Sequence, residues 1–300
     1  MRKFLIRCLL YILPVVVVSL GIVLAAGRRY WASRIPVEKK YILDHSPHDI
    51  SLALGSSHAY FGINSRLVSP HCYNLASYSQ CYYEDYSILK YALANHSIGF
   101  LVLPVSYFSN HATDISGFSL RGERLRAFDY EHAYQLSYPA SFQYWADKSN
   151  LLTFFAKSLI RKPYPLDFDT QGNLTEKCGQ TQGNISDSTV AFDRHNEHAD
   201  FTKRNPYLDS IIHLCALHHI KLNVVIFPFT TGYNDQIDTK GRAFDGYIES
   251  LRTVDLPDYQ ILDCRRLFHS DESYYFINAD HLSPCGRDSF SIYLSGKIIQ

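Results

Sequence analysis

Alternating strand-like and helix-like segments predict an α/β protein with a central parallel sheet, interrupted by an aromatic and polar insertion and preceded by one N-terminal transmembrane helix. Three observations carry this. Strand, helix and strand recur in that order at both ends of the chain, which is the pattern of a parallel sheet. Several strand-like runs are apolar almost throughout, as strands covered on both faces are. The stretch from about 110 to 200 fits neither the strand nor the helix period.

The first thirty residues form an apolar run, Cys8 to Ala26, broken only by Tyr11, Pro14, Ser19 and Gly21 and preceded by Arg2, Lys3 and Arg7. Such a run crosses about 30 Å of hydrocarbon as a helix, so residues 1–30 are expected to anchor the chain in a membrane. Val23-Leu24-Ala25 has the small residues of a signal-peptide cleavage site, the alternative for the same segment. Basic charge on the short N-terminal side favours a cytoplasmic N-terminus and an extracytoplasmic body, although Arg28 and Arg29 oppose it. Residues 31–47, polar and carrying Glu38, Lys39 and Lys40, read as a stalk.

Residues 48–300 then form the folded domain. Expected strands cover Ile50 to Leu54, Cys72 to Ala76, Phe100 to Val105 and Leu222 to Phe229, with an edge strand over Tyr259 to Leu262. Helices are expected over Tyr83 to Ala94, where Ile88, Leu89, Ala92 and Leu93 make a stripe, over Tyr207 to Ile220, weakly around Gly246 to Leu251, and over Asp288 to Ile299. The insertion is expected to begin helically, Glu131 to Phe155, and to end in a loose polar loop; long connections of this kind are commonly lids or inserts.

The 300 residues are 46% hydrophobic, enough to bury a full core, and 29 basic residues balance 29 acidic ones. That balance argues against a nucleic-acid partner, which would demand a broad positive surface. Beyond Cys8 the cysteines number an even six: Cys72, Cys81, Cys178, Cys215, Cys264 and Cys285. They suit either disulfides in an oxidising compartment or buried free thiols, and the absence of a C-x-x-C pair leaves zinc-ribbon and thioredoxin chemistry without support.

Two segments carry chemistry. Leu52-Ala53-Leu54-Gly55-Ser56-Ser57-His58 places serines on a tight turn after a strand, and Phe276-Ile277-Asn278-Ala279-Asp280-His281-Leu282-Ser283-Pro284-Cys285-Gly286 places a histidine on a late loop. A serine hydroxyl attacks an ester poorly unless a neighbouring base takes its proton, so the two segments together are worth more than either alone. The first resembles the opening block of the SGNH/GDSL hydrolase superfamily, with Gly-Ser-Ser in place of Gly-Asp-Ser. This variant is similar to the membrane-anchored branch that includes the lipoteichoic acid D-alanylation and alginate O-acetylation proteins. The second resembles that superfamily's final Asp-x-x-His block.

The resemblance implies a three-layer, flavodoxin-like domain in which Ser57 is the nucleophile and His281 the general base. It covers roughly residues 48 to 109 and 205 to 298. The chain departs from the pattern at Asn278, which stands where the family has aspartate. A carboxamide can orient the imidazole but cannot offset its charge, so a serine–histidine dyad, a site assisted by Asp280 and a degenerate enzyme all stay open. Asp280 is the nearest carboxylate, although a side chain adjacent to the base usually points elsewhere. The family's oxyanion donors also fail to carry over in part: the backbone N–H of Ser57 remains, while the glycine and asparagine donors are missing. Candidate replacements are Asn74, a backbone N–H near Ser77, Gln80 and Ser106.

On this reading the protein is a membrane-anchored serine esterase or O-acyltransferase acting on acyl, chiefly acetyl, esters of a cell-envelope polysaccharide, with a multi-span acyltransferase as a possible partner. It needs no cofactor and no metal. The alternative is a catalytically degenerate protein of the same fold that binds polysaccharide or assists assembly. His195-Asn196-Glu197-His198-Ala199-Asp200 has metal-ligand residue types but reads as a solvated loop, and the aromatics from Phe108 to Phe155 suit either sugar stacking or packing. Asn95, Asn173 and Asn184 each open a glycosylation sequon.

Overall fold

The computed structural model describes residues 35–107, 168–179, 188–196 and 204–298 (the Arg242 side chain excepted), with the scattered positions 11–14, 17, 109, 130, 133, 134, 185, 199, 201, 202 and 300. Most of the expected anchor and most of the insertion, including most of its expected helix and aromatics, lie outside the described residues; Tyr130, Ala133 and Tyr134 are described and buried. Among the described residues no helix is long and apolar enough to cross a membrane.

Five strands, β1 (Asp49–Ala53), β2 (Cys72–Asn74), β3 (Ser97–Pro104), β4 (Lys221–Ile226) and β5 (Tyr259–Asp263), form one sheet in the order β2-β1-β3-β4-β5. Every pairing is parallel. Each expected strand is present, β5 at an edge as predicted. β4 ends at Ile226, earlier than expected, ahead of Pro228, which has no N–H to give the ladder.

The period of two along the strands sorts the core into two layers. Leu52, Leu101, Leu103, Leu222 and Val224 face one side, where they pack on α4 (Tyr82–Leu93), α6 (Pro206–Leu217) and α8 (Arg242–Arg252) through Ile88, Leu89, Leu208, Ile211, Ile248 and Leu251. Ala53, Phe100, Val102 and Val225 face the other, against α2 (Ser57–Gly62), α3 (Ser65–Val68) and α10 (Pro284–Ser295) through Ala59, Val68, Phe290 and Leu294. The sheet is thus flanked by helices on both faces. Three further helices are α5 (Ser188–Asn196), α7 (Thr231–Lys240) and α9 (Glu272–Tyr275).

Residues 35–44 correct one expectation. They are no loose stalk but a helix, α1 (Ile35–Asp44), packed on the domain. Ile35, Lys39 and Leu43, four residues apart, all lie on its buried side. The Lys39 ammonium donates to the carbonyls of Asn74 and Gly172 and sits 4.5 Å from the centroid of the Phe168 ring. Burial pushes its pKa down to about 7 against the opposing pull of Asp169. The charged letters of this segment mask an inward-facing stripe.

The cysteines divide between the two expectations. Cys178 and Cys285 form a disulfide, while Cys72, Cys81, Cys215 and Cys264 are buried thiols outside any disulfide. The sequon at Asn173 is closed to modification: the residue is buried and its carboxamide oxygen accepts from the backbone N–H and hydroxyl of Ser65.

Candidate active site

In a sheet of this order the strand order reverses between β1 and β3, and in open α/β sheets ligands bind outside the carboxyl ends of the strands at such a point. Ser57 is delivered to that point by a turn only glycine can make. Gly55 has φ of +108°, and a Cβ there would stand 2.1 Å from Pro104 Cγ. The turn is pinned on both sides: Gly55 N–H donates to Asp85 Oδ1 at 2.8 Å and Ser77 N–H donates to the Gly55 carbonyl at 3.1 Å. Ser56 occupies the N-cap position of α2 without a side-chain capping bond, and Ser57, half-buried, is the first helical residue, so its backbone N–H belongs to the turn that has no intrahelical acceptor.

His281 arrives on a tight loop closed by an antiparallel bridge between Phe276 and Leu282 and by Ile277 N–H on the His281 carbonyl at 3.0 Å. Asn278 shapes this loop. Its Oδ1 accepts from the backbone N–H of Asp280 at 3.1 Å and of His281 at 2.8 Å, as asparagine does in turns. α10 follows at once, with Pro284 at its start and the Ser283 hydroxyl accepting from Gly286 N–H at 3.1 Å. Gly286 is required by close approach, since a Cβ there would lie 2.0 Å from the Tyr275 carbonyl oxygen.

These two local structures meet. His281 Nε2 lies 2.8 Å from Ser57 Oγ, hydrogen-bonding distance for a nucleophile and its base. On the far side of the ring, Nδ1 lies 3.1 Å from Asn278 Oδ1 and 3.0 Å from Asp280 Oδ1. The expectation that a side chain adjacent to His281 would point elsewhere is therefore overturned: the tight loop folds the Asp280 carboxylate back onto the ring. Burial alone pushes the Asp280 pKa up, but the imidazole N–H groups of His281 and His58 outweigh it and hold the carboxyl well below its ordinary range.

Two residues of this cluster are not assigned by the motifs. His58, next to Ser57 in α2, presents Nε2 3.6 Å from Asp280 Oδ2, and its Nδ1 hydrogen-bonds the Ser106 hydroxyl. His195, expected in a solvated loop, sits near the end of α5 with Nε2 3.7 Å from the same Asp280 Oδ2 and Nδ1 2.6 Å from the Tyr233 hydroxyl. Burial lowers the pKa of both rings, that of His195 to about 3. No signal in the motif could have found His195, because only tertiary packing brings the end of the insertion to this point.

The expected oxyanion donors fare differently. Asn74 spends both amide hydrogens on the carbonyls of Ala59 and Ile63, at 3.1 and 2.9 Å, and is a structural brace for α2. The Ser77 N–H is committed to Gly55, and Gln80 donates to Asp85 Oδ1 at 2.6 Å while its carbonyl accepts from the Tyr130 hydroxyl. Ser106 serves His58. Of the expected set, the Ser57 backbone N–H is the donor left without an acceptor in its own helix by its place in the first turn.

His58, Asp280 and His281 also offer metal-ligand atoms within 4.8 Å of one another. The 3.0 Å spacing from Nδ1 to Oδ1 and the bond to Ser57 give Asp280 and His281 a hydrogen-bonded arrangement that needs no ion. At the mouth of the site Phe61 stands edge-on to His281, 5.4 Å between centroids, beside Tyr78, which is 43% exposed. The fold and site together define an α/β protein with a serine, histidine and aspartate in line at the carboxyl edge of a parallel sheet. No protein-family model matches the chain, and no curated protein matches it.

Proposed function

We propose that the chain is an SGNH-type serine esterase or O-acyltransferase, anchored in the membrane by its N-terminal segment and acting on acyl esters of a cell-envelope polysaccharide. The observation that carries this is the 2.8 Å contact between Ser57 Oγ and His281 Nε2, backed by Asp280. In the reaction His281 takes the Ser57 proton as Oγ attacks the ester carbonyl. The tetrahedral oxyanion forms against the Ser57 backbone N–H, and His281 returns the proton to the departing alcohol. The resulting acyl-serine is then cleaved by water or by a sugar hydroxyl, each activated by the same imidazole. These two acceptors separate hydrolase from transferase and leave one mechanism.

Two features support the setting. The Cys178–Cys285 disulfide suits an oxidising, extracytoplasmic compartment. Phe61 and Tyr78 supply aromatic faces of the kind that pack on sugars beside the working histidine. Labelling with a fluorophosphonate should modify Ser57 and be lost in Ser57→Ala; a folded wild-type protein that resists the probe overturns the proposal.

A second reading is favoured by the state of the oxyanion donors, in which Asn74, Ser77 N–H and Gln80 are all committed elsewhere. It is a non-catalytic protein of the same fold that binds polysaccharide or supports assembly. That reading wins if Ser57→Ala restores the phenotype of a deletion strain in full.

A further inference from the structure

We propose that His195, carried by the insertion helix α5, is a positioning residue that with His58 holds Asp280 against His281, so that the site is complete only when the end of the insertion is docked. The proposal rests on the serine-hydrolase reading for its consequence, and on the geometry of four side chains for its substance.

Asp280 is buried and uses Oδ1 on His281. Its other oxygen, Oδ2, faces His58 Nε2 at 3.6 Å from one side and His195 Nε2 at 3.7 Å from the other. Both distances exceed a hydrogen bond, so these are contacts between a charge and two ring dipoles, which count for more in a buried site than in water. The outer nitrogen of each ring meets a hydroxyl: Ser106 at His58 Nδ1 and Tyr233 at His195 Nδ1. A hydroxyl that donates to Nδ1 puts the ring proton on Nε2, the atom that faces the carboxylate. Both rings then offer N–H dipoles to Oδ2 and leave Oδ1 to His281.

The docking of α5 is specific. A Cβ at Gly232, in α7, would come within 2.9 Å of Ser188 Oγ, so the start of α5 lies hard against α7. Phe192 is fully buried against Tyr107 and Tyr233, and the Tyr107 hydroxyl donates to Asn196 Oδ1 at 2.6 Å. The ionisable groups around Asp280 and His195 are His58 from α2, Tyr233 from α7, and Arg194 and His281.

The test uses the full-length protein in detergent, as wild type, His195→Phe, which keeps a ring and removes the N–H, and His195→Gln, which restores a donor. Fluorophosphonate labelling of Ser57 is followed at neutral pH for both its rate constant and its final extent. His195→Phe should label about tenfold more slowly, a loss of about 1.4 kcal/mol in the barrier. The loss should fall on the rate constant per folded molecule and not on the final extent. His195→Gln should recover most of the rate. A purely structural role would lower the amount of active protein and leave the rate constant in place, and that result overturns the proposal. Nitrogen-15 spectra of the histidines in wild type should show His195 as its Nε2–H tautomer, with its signals moved by Asp280→Asn; the Nδ1–H tautomer overturns the proposal whether or not Ser57 reacts. Absence of labelling in wild type with the expected spectra would sink the hydrolase reading and leave the cradle standing.

Discussion

Asp280 Oδ1 lies 3.0 Å from the Nδ1 of its own neighbour His281, on the side of the ring opposite Ser57. The carboxylate behind the His281 ring therefore comes from the residue directly before it, while the position three before it supplies only the Asn278 carboxamide, 3.1 Å from the same Nδ1. Asp280→Asn should cut the rate of Ser57 labelling by about 10³ to 10⁴, the loss that follows when the acid of a serine triad becomes an amide. Pseudo-first-order labelling rates at neutral pH measure this, and a loss under tenfold would remove Asp280 from the relay.

Asn278 looks like a lost aspartate, but its oxygen is engaged by the backbone N–H groups of Asp280 and His281. Asn278→Asp should give no gain in turnover, since it sets a second negative charge beside a buried one. Asn278→Ala should lower both the melting temperature and the labelling rate by releasing the loop. A rise in esterase turnover in Asn278→Asp would show that the carboxamide is an impaired triad member.

Gly55→Ala combines a positive φ with a Cβ 2.1 Å from the Pro104 ring. It should destabilise the domain by about 2 kcal/mol or more and abolish labelling even where some folded protein survives. Thermal melts and labelling of the soluble fraction check both halves of the expectation.

Asp85 anchors the turn that presents Ser57, and burial raises its pKa to about 7 despite hydrogen bonds from Gln80 and Gly55. A carboxyl with a raised folded pKa keeps a proton that the unfolded chain releases. Its contribution to stability is thus full below about pH 4 and lost as pH rises through about 7. Asp85→Asn keeps an acceptor oxygen for Gly55 and should flatten this slope. The variant should gain about 1 to 3 kcal/mol on wild type between pH 5 and pH 8, since each tenfold difference in proton affinity between the folded and unfolded chain is worth about 1.4 kcal/mol. Chemical denaturation of wild type and variant at the two pH values decides it.

Reduction of the Cys178–Cys285 bridge, which spans 107 residues, should cost on the order of 2–5 kcal/mol and loosen the 168–179 segment against α10. The Arg287 guanidinium, bonded to the carbonyls of Leu174 and Glu176, should hold part of that contact in the reduced protein. Chelation with EDTA, by contrast, should leave the labelling rate unchanged, because the relay moves a proton and not a metal-bound water. A loss on chelation restored by zinc would assign His58, Asp280 and His281 to an ion.

The chain's local signals determined the sheet and singled out two residues that the fold brings together. Near-continuous apolar runs, strand-to-helix alternation and a glycine before two serines are short-range properties; they placed β1 to β5 and pointed to Ser57 and His281, whose Oγ and Nε2 lie 2.8 Å apart. What only the folded arrangement decided was which carboxylate stands behind the His281 ring, which donors are already committed, and that α1 is packed and not a stalk. Asp280, Asn74, Gln80 and His195 each have several polar partners within reach, and residue type does not say which is taken. That choice depends on side-chain directions set by a loop closing between Phe276 and Leu282 and by α5 docking from far along the chain, distances that no spacing in the sequence encodes.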